Sequence, residues 1–188
     1  MKTLISTRPR RAAFALATAA MTATAILLAL NPPLSSAGGA PNQTTIRAVG
    51  GYRFQPNQSF QDRQRFSPGV SAVQSGGRVT FVNRTKEGHS FSLVRRGQLP
   101  NTVREFFGCY GPNGACTSVL DAHRFDDNND ANDRPEVDVG STGIDRVGDS
   151  IALLPNRRSS HTVSAPAGRN LFLLCVFHPQ MQARLGSR

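Results

Sequence analysis

Short stretches in which apolar and polar residues alternate, and one apolar run near the C-terminus, recur from residue 44 onward and predict strands. Thr45-Ile46-Arg47-Ala48-Val49 reads as a first strand within Thr44–Phe54, and Gly69-Val70-Ser71-Ala72-Val73 as a second. Between them, Gln55–Pro68 is polar and reads as a loop. Ser75-Gly76-Gly77 supplies a turn. Arg78-Val79-Thr80-Phe81-Val82-Asn83 then alternates cleanly, and after a polar link His89-Ser90-Phe91-Ser92-Leu93-Val94 alternates again. In the C-terminal half, Arg146–Leu154, His161–Pro166 and Asn170–Phe177 read as strands, with Gln182–Arg188 as a final edge. No helical period extends beyond about two turns. The one helix predicted is Thr102–Phe107, where Thr102 and Glu105 have capping-box spacing and Gly108 can end it. The class is all-β, a sandwich of seven or eight strands.

Residues 1–37 stand outside this pattern. Lys2, Arg8, Arg10 and Arg11 precede an uncharged run, Ala12–Leu30, broken by Asn31-Pro32-Pro33 and followed by the small residues Ser35-Ser36-Ala37. This is the layout of a secretory signal peptide. An uncleaved membrane anchor is the other reading of the same run. Residues 38–43 are expected to be a flexible lead-in, and 44–188 to form one domain with an insertion at about 99–150.

Charge sharpens the picture. Without residues 1–37 the chain keeps 18 basic and 12 acidic residues, a net charge of +6. Nine of the 12 acids lie between Asp121 and Asp149, so the rest of the domain is strongly basic. Such a surface steers toward acidic partners or anionic surfaces. An exported chain without interleaved aromatic and basic residues argues against nucleic acid. Asp126-Asp127-Asn128-Asn129-Asp130-Ala131-Asn132-Asp133 offers oxygen ligands at alternate positions. It lacks the glycine and glutamate that a calcium loop of this kind needs, and reads as a solvated acidic loop.

The chemistry concentrates in Cys175-Val176-Phe177-His178-Pro179-Gln180-Met181. Thiolate, imidazole and thioether at this spacing are ligand types of a blue-copper electron-transfer centre, which also needs a second imidazole. Cysteine usage agrees. Cys109 and Cys116 lie close together in a Gly/Pro/Asn-rich loop and can pair, which leaves Cys175 as an odd thiol in an oxidising compartment. Of the four histidines, His178 belongs to the motif and His89 is the candidate partner. His123 sits in the insertion with no ligand near it in sequence, and His161 opens a strand where a hydrogen-bonded or exposed side chain is expected.

The C-terminal motif resembles the copper loop of the cupredoxins, in its short His–Met gap most like amicyanin and related plastocyanin-like proteins. A strand ending in Asn83, a short loop and His89 opening the next strand match the family's first copper histidine. Gly88-His89-Ser90-Phe91 looks more like rusticyanin there, which points to a higher reduction potential. The resemblance covers Gly76–Val94 and Asn170–Met181. It implies a Greek-key β-sandwich with an inserted region carrying a short helix, and one type 1 copper cycling between Cu(I) and Cu(II) on His89, Cys175, His178 and Met181. It further implies an exposed His178 ringed by Phe177 and Pro179 as the electron's exit. The function implied is an exported monomeric carrier, periplasmic or on the outer face of the cytoplasmic membrane. It would pass single electrons between a donor and an acceptor protein, with no small-molecule substrate and no enzymatic activity. Other readings of the same residues are an envelope copper-delivery protein, a zinc site at His89, Cys175 and His178, and a metal-free adhesion module.

Overall fold

The computed structural model describes residues 39–125 and 133–188. The leader assigned to residues 1–37 lies outside the described residues, as does most of the acidic loop, 126–132. The strands in the first half are β1 (Gln43–Val49), β2 (Tyr52–Gln55), β3 (Ser59–Asp62), β4 (Arg65–Ser67), β5 (Val70–Val73), β6 (Arg78–Asn83) and β7 (His89–Val94). Helices α1 (Val103–Gly108) and α2 (Ala115–His123) follow. The chain ends with β8 (Glu136–Val137), β9 (Ser150–Leu153), β10 (Arg158–Thr162), β11 (Asn170–Leu174) and β12 (Gln182–Ser187).

Two sheets form the sandwich. One has the order β10-β6-β1-β4, the other β5-β12-β11-β7-β9-β8, and β2 and β3 make a separate hairpin. β1 runs parallel to β6 and β5 parallel to β12, and the other pairs are antiparallel. Alternation decides which face turns inward: in β6, Val79, Phe81 and Asn83 are buried, while Arg78 is exposed. Phe91 of β7 stacks at 4.6 Å from Phe81 and 4.8 Å from Phe66, tying the sheets together at mid-core. Each such ring contributes about 1.5–3 kcal/mol by leaving water.

The expected all-β sandwich is present, with differences that have physical reasons. The eight strands read from alternation are joined by β2, β3, β4 and β8. The first three of these occupy Tyr52–Ser67, most of which was expected to be a loop. Tyr52, Phe54 and Phe60 in the hairpin are exposed, so backbone pairing holds it and no buried face marks it in the sequence. β10 starts at Arg158, before the expected His161, and β9 is confined to Ser150–Leu153. β12 is no edge: it lies between β11 and β5.

The insertion holds two helices where one was expected. α1 has the capping box: Thr102 Oγ1 accepts from the Glu105 N–H, and Glu105 Oε2 accepts from the Thr102 N–H. α2 has Gly114 at its N-cap, without a side-chain cap, and buries Ala115, Cys116, Val119 and His123 along one face. Cys109 and Cys116 are disulfide-bonded, linking the end of α1 to the first turn of α2. These cysteines pack with Ala115 and Val119 on Val94, Leu174 and Val176, making a second core on the outer face of the larger sheet. The insertion thus covers a face of that sheet. In consequence all six residues of β7 are buried, its serines included.

Candidate metal centre

His89 opens β7 and is held opposite Leu153 of β9. Cys175 follows β11 directly, and the loop from Cys175 to Met181 returns the chain into β12. Two backbone bonds close that loop: the Cys175 N–H donates to Met181 O at 3.0 Å, and the Met181 N–H to His178 O at 2.8 Å. This geometry turns His178 back over Cys175. Nδ1 of His89 lies 3.5 Å from Cys175 Sγ and Nδ1 of His178 lies 3.8 Å from it. The three donor atoms fall within 4.8 Å of one another. Met181 is fully buried in the core at the end of the same loop.

The electrostatics suit a cation. Burial pushes the Cys175 thiol up, while backbone N–H groups, first among them that of Ser90 at 3.4 Å, favour its thiolate. Burial, and then the neighbouring His178, lower His89 to about 4. Burial also lowers His178. Three groups that resist carrying charge alone are gathered around one point, and a metal ion there would supply the positive charge that lets the thiol ionise. A soft thiolate and thioether with two imidazoles fit copper in both oxidation states.

Around these donors lies a buried polar frame. The Thr85 hydroxyl is 2.8 Å from His89 Nε2. Asn83, fully buried, donates through Nδ2 to Glu87 O at 2.7 Å and Leu153 O at 3.0 Å, and its Oδ1 accepts from the Thr85 N–H and hydroxyl, both at 2.9 Å. With Nδ1 directed at Cys175, His89 carries its proton on Nε2 and gives it to Thr85, an arrangement that fixes the ring. Tyr110, next to the disulfide, donates its hydroxyl to Val176 O at 3.0 Å and so braces the Cys175 loop from the insertion. From the other side Gln180 Nε2 reaches Asp62 of β3 at 2.5 Å. Sequence reasoning passed over Thr85 and Tyr110. An Asn followed two residues later by Thr at a strand end is a turn signal that could have marked Thr85, whereas nothing near Tyr110 in sequence marks it.

The remaining histidines stay apart from this cluster. His161 bonds to Ser159 Oγ at 2.7 Å and faces Glu136 at 3.2 Å. His123 is buried against Arg134 O and Ser150 Oγ.

A two-sheet sandwich thus presents one imidazole at the head of β7 and a Cys-x2-His-x2-Met loop between β11 and β12, at the same end of the molecule. The fold is a cupredoxin-like β-sandwich. No family model matches the chain, and no curated protein matches it. Among solved structures it is similar to a reduced auracyanin from Roseiflexus castenholzii, at 16% identity over 80% of this chain and 99% of that one, with a TM-score of 0.42. It is also similar to a purple cupredoxin from Nitrosopumilus maritimus, at 14% identity over 77% of this chain and 99% of that one, TM-score 0.42. A third is auracyanin A, a blue copper protein from Chloroflexus aurantiacus, at 18% identity over 79% of this chain and all of that one, TM-score 0.42. The assignment rests on this chain's own topology and donor set.

In this sandwich His178 is half-buried beside Phe177, which is 36% exposed. Pro179, expected in the surface ring, is buried instead. Phe125 lies against Phe177, ring centroids 5.9 Å apart, and with Leu154, Phe177 and His89 lines a largely apolar groove of about 400 Å³. Phe125 lies outside both segments that carry the cupredoxin motif, so no local pattern pointed to it.

Proposed function

We propose that the chain is an exported blue copper protein that holds one type 1 copper on His89, Cys175, His178 and Met181 and passes single electrons between protein partners. The observation that carries this reading is the buried, unpaired Cys175 with two imidazole nitrogens directed at its sulfur. Copper bound there would supply the one-electron couple. The chain's own residues hold the donors still. Thr85 and Asn83 fix His89, the backbone bonds of the loop fix His178, and Tyr110 and Gln180 pin the loop to the insertion and to β3. Rigid donors keep rearrangement between oxidation states small, which favours fast transfer. Four protein donors leave no position for a substrate, so the role proposed is that of a carrier and not an enzyme. The half-buried His178, next to the exposed Phe177, offers a short route for the electron to a docked partner. Outside the acidic insertion the surface is basic, which suits an acidic-surfaced one. The leader at residues 1–37 carries the export part of the reading.

The test is visible absorption and electron paramagnetic resonance of the chain from residue 38 with one equivalent of Cu(II), beside Cys175→Ser. An intense thiolate-to-copper band with narrow hyperfine splitting, both lost in the variant, supports the reading. A colourless protein, or tetragonal copper indifferent to the substitution, overturns it. Rapid loss of copper to a chelator during redox cycling would favour delivery over electron carriage.

A further inference from the structure

A line of buried hydrogen bonds runs from the Cys175 loop into the insertion. The Val176 N–H, one residue after Cys175, donates to Ser90 Oγ at 2.9 Å. Ser90 Oγ lies 2.9 Å from Ser92 Oγ, which lies 2.7 Å from Ser150 Oγ, which lies 2.7 Å from His123 Nε2. His123 Nδ1 meets the carbonyl of Arg134. The three serines and His123 are all fully buried.

The two ends set the direction of every proton between them. A carbonyl only accepts, so Nδ1 carries the imidazole proton and Nε2 of neutral His123 is a bare acceptor. Ser150 donates to it. Having spent its one proton, Ser150 accepts from Ser92, and Ser92 accepts from Ser90. At the far end the Val176 N–H only donates. All three hydroxyls therefore point away from the sulfur, each strengthening the next. In this state Ser90 has no proton left for Cys175, although the residue sits beside that sulfur, its own N–H donating to Sγ at 3.4 Å.

A proton added at His123 Nε2 turns that nitrogen into a donor. Ser150 must then turn its hydroxyl to Ser92, and Ser92 to Ser90. The Ser90 proton is released toward the acceptor beside it, Cys175 Sγ. We propose that His123 is a proton-linked positioning residue, whose protonation reverses the Ser150–Ser92–Ser90 relay, places a hydrogen bond on the Cys175 sulfur and raises the reduction potential of the centre. This rests on Cys175 holding the copper. A hydrogen bond to the thiolate withdraws charge from the sulfur and favours the oxidation state that leaves more charge on it, the reduced one. With copper in the centre, each electron gained would be accompanied by net proton uptake at His123 Nε2 of less than one proton, as far as its proton affinity differs between the two oxidation states, and the same fraction would leave on oxidation.

Burial lowers the His123 pKa from its ordinary 6.5, so the response falls on the acid side of that value. The charged groups on and around the elements that pack against His123 are known by position. Asp121 is on its own helix and Arg124 ends that helix. Asp133, Arg134 and Glu136 lead into β8, with the Glu136 carboxylate facing His161. Asp149 precedes β9, its carboxylate accepting from three backbone N–H groups.

The experiment compares the copper-loaded chain with Ser92→Ala, which cuts the relay in the middle and leaves His123, Ser90 and every proposed ligand in place. The midpoint potential is followed from pH 8 down to about 4.5, and the ring nitrogens of His123 and the amides of Ser90 and Val176 are followed by NMR in the reduced protein. The expected result is a potential that rises as His123 takes up its proton, by 59 mV for each tenfold difference in proton affinity between the two oxidation states. A factor of roughly ten is what one hydrogen bond of ordinary strength supplies. The Val176 amide shift should move with the His123 midpoint in the parent chain. In Ser92→Ala the two should part, and the rise in potential should vanish. The same pH profile in both proteins, as protonation of His89 or His178 would produce, overturns the proposal. So does a flat profile while His123 titrates. Absence of a thiolate-to-copper band in the parent chain would overturn the copper reading instead, and the Val176 amide in the metal-free chain would still decide whether the relay turns.

Discussion

Replacing Thr85 by Val removes one oxygen from beneath the metal centre and leaves the volume unchanged. Thr85 is 4% exposed, and its hydroxyl takes the proton of His89 Nε2 at 2.8 Å and can give its own to Asn83 Oδ1 at 2.9 Å or Glu87 O at 3.1 Å. In the variant the Nε2–H is a buried donor without an acceptor, which costs about 1–3 kcal/mol, and the bond donated by the hydroxyl is lost, about 1 kcal/mol more. The turn survives, because the Thr85 N–H still reaches Asn83 Oδ1 at 2.9 Å. The metal-free chain should therefore lose about 2–4 kcal/mol, read as a lower urea midpoint at constant slope. Freed from its acceptor, His89 should bind copper about 10–100-fold more weakly in competition with a Cu(I) chelator. Thr85→Ser, which keeps the oxygen, should restore most of both. A Val variant within about 0.5 kcal/mol of the parent, with unchanged copper affinity, would refute the view that Thr85 holds the ring, since substitutions without such a role fall in that range.

Three further outcomes are expected. Cys109→Ala with Cys116→Ala should cost about 2–3 kcal/mol in chemical denaturation, the value for so short a loop, and should broaden the Val176 and Phe177 amide signals because Tyr110 loses its anchor. The metal-free chain should weaken as pH falls. His89 has a folded value of about 4 against 6.5 when exposed, so the unfolded chain takes the proton first. Stability is then complete above 6.5 and lost as pH falls toward 4, by about 3 kcal/mol, with His178 and His123 acting in the same direction. Equal urea midpoints at pH 7 and at about 4.5 would contradict this, given that shift. Gly114→Ser would improve an ordinary helix N-cap. Here a Cβ would sit 2.0 Å from Cys109 O, so the variant should lower the melting temperature, at a cost of about 1–3 kcal/mol.

Much of the centre is local, and was legible for that reason. Cys175, His178 and Met181 sit on one loop, and β6 and β7 alternate cleanly enough to place His89 at a strand head. The helix α1 announced itself through Thr102 and Glu105. α2 did not: its N-cap is a glycine, and its buried face of Ala115, Cys116, Val119 and His123 is small and partly polar. The β2–β3 hairpin keeps its aromatics in solvent and so shows no buried stripe. The alternation of His89-Ser90-Phe91-Ser92 would ordinarily put the serines in water. They are buried because α2, more than twenty residues further along, packs over that face. Thr85 and Tyr110 act through contacts that only the assembled sandwich brings about.

The position of β12 has a consequence for how the protein is made. Three of the four proposed donors lie on the loop that leads directly into β12, and this strand, which locks their loop in place, joins β5 to the rest of its sheet. A chain interrupted after Met181 would carry every donor and still have no frame to hold them. Synthesis therefore completes the donors just before the strand that frames them. A polypeptide that stops short of β12 has a bare thiol but no pocket with which to capture a metal, and loss of Gln182–Ser187 should be as damaging to the proposed centre as loss of a ligand.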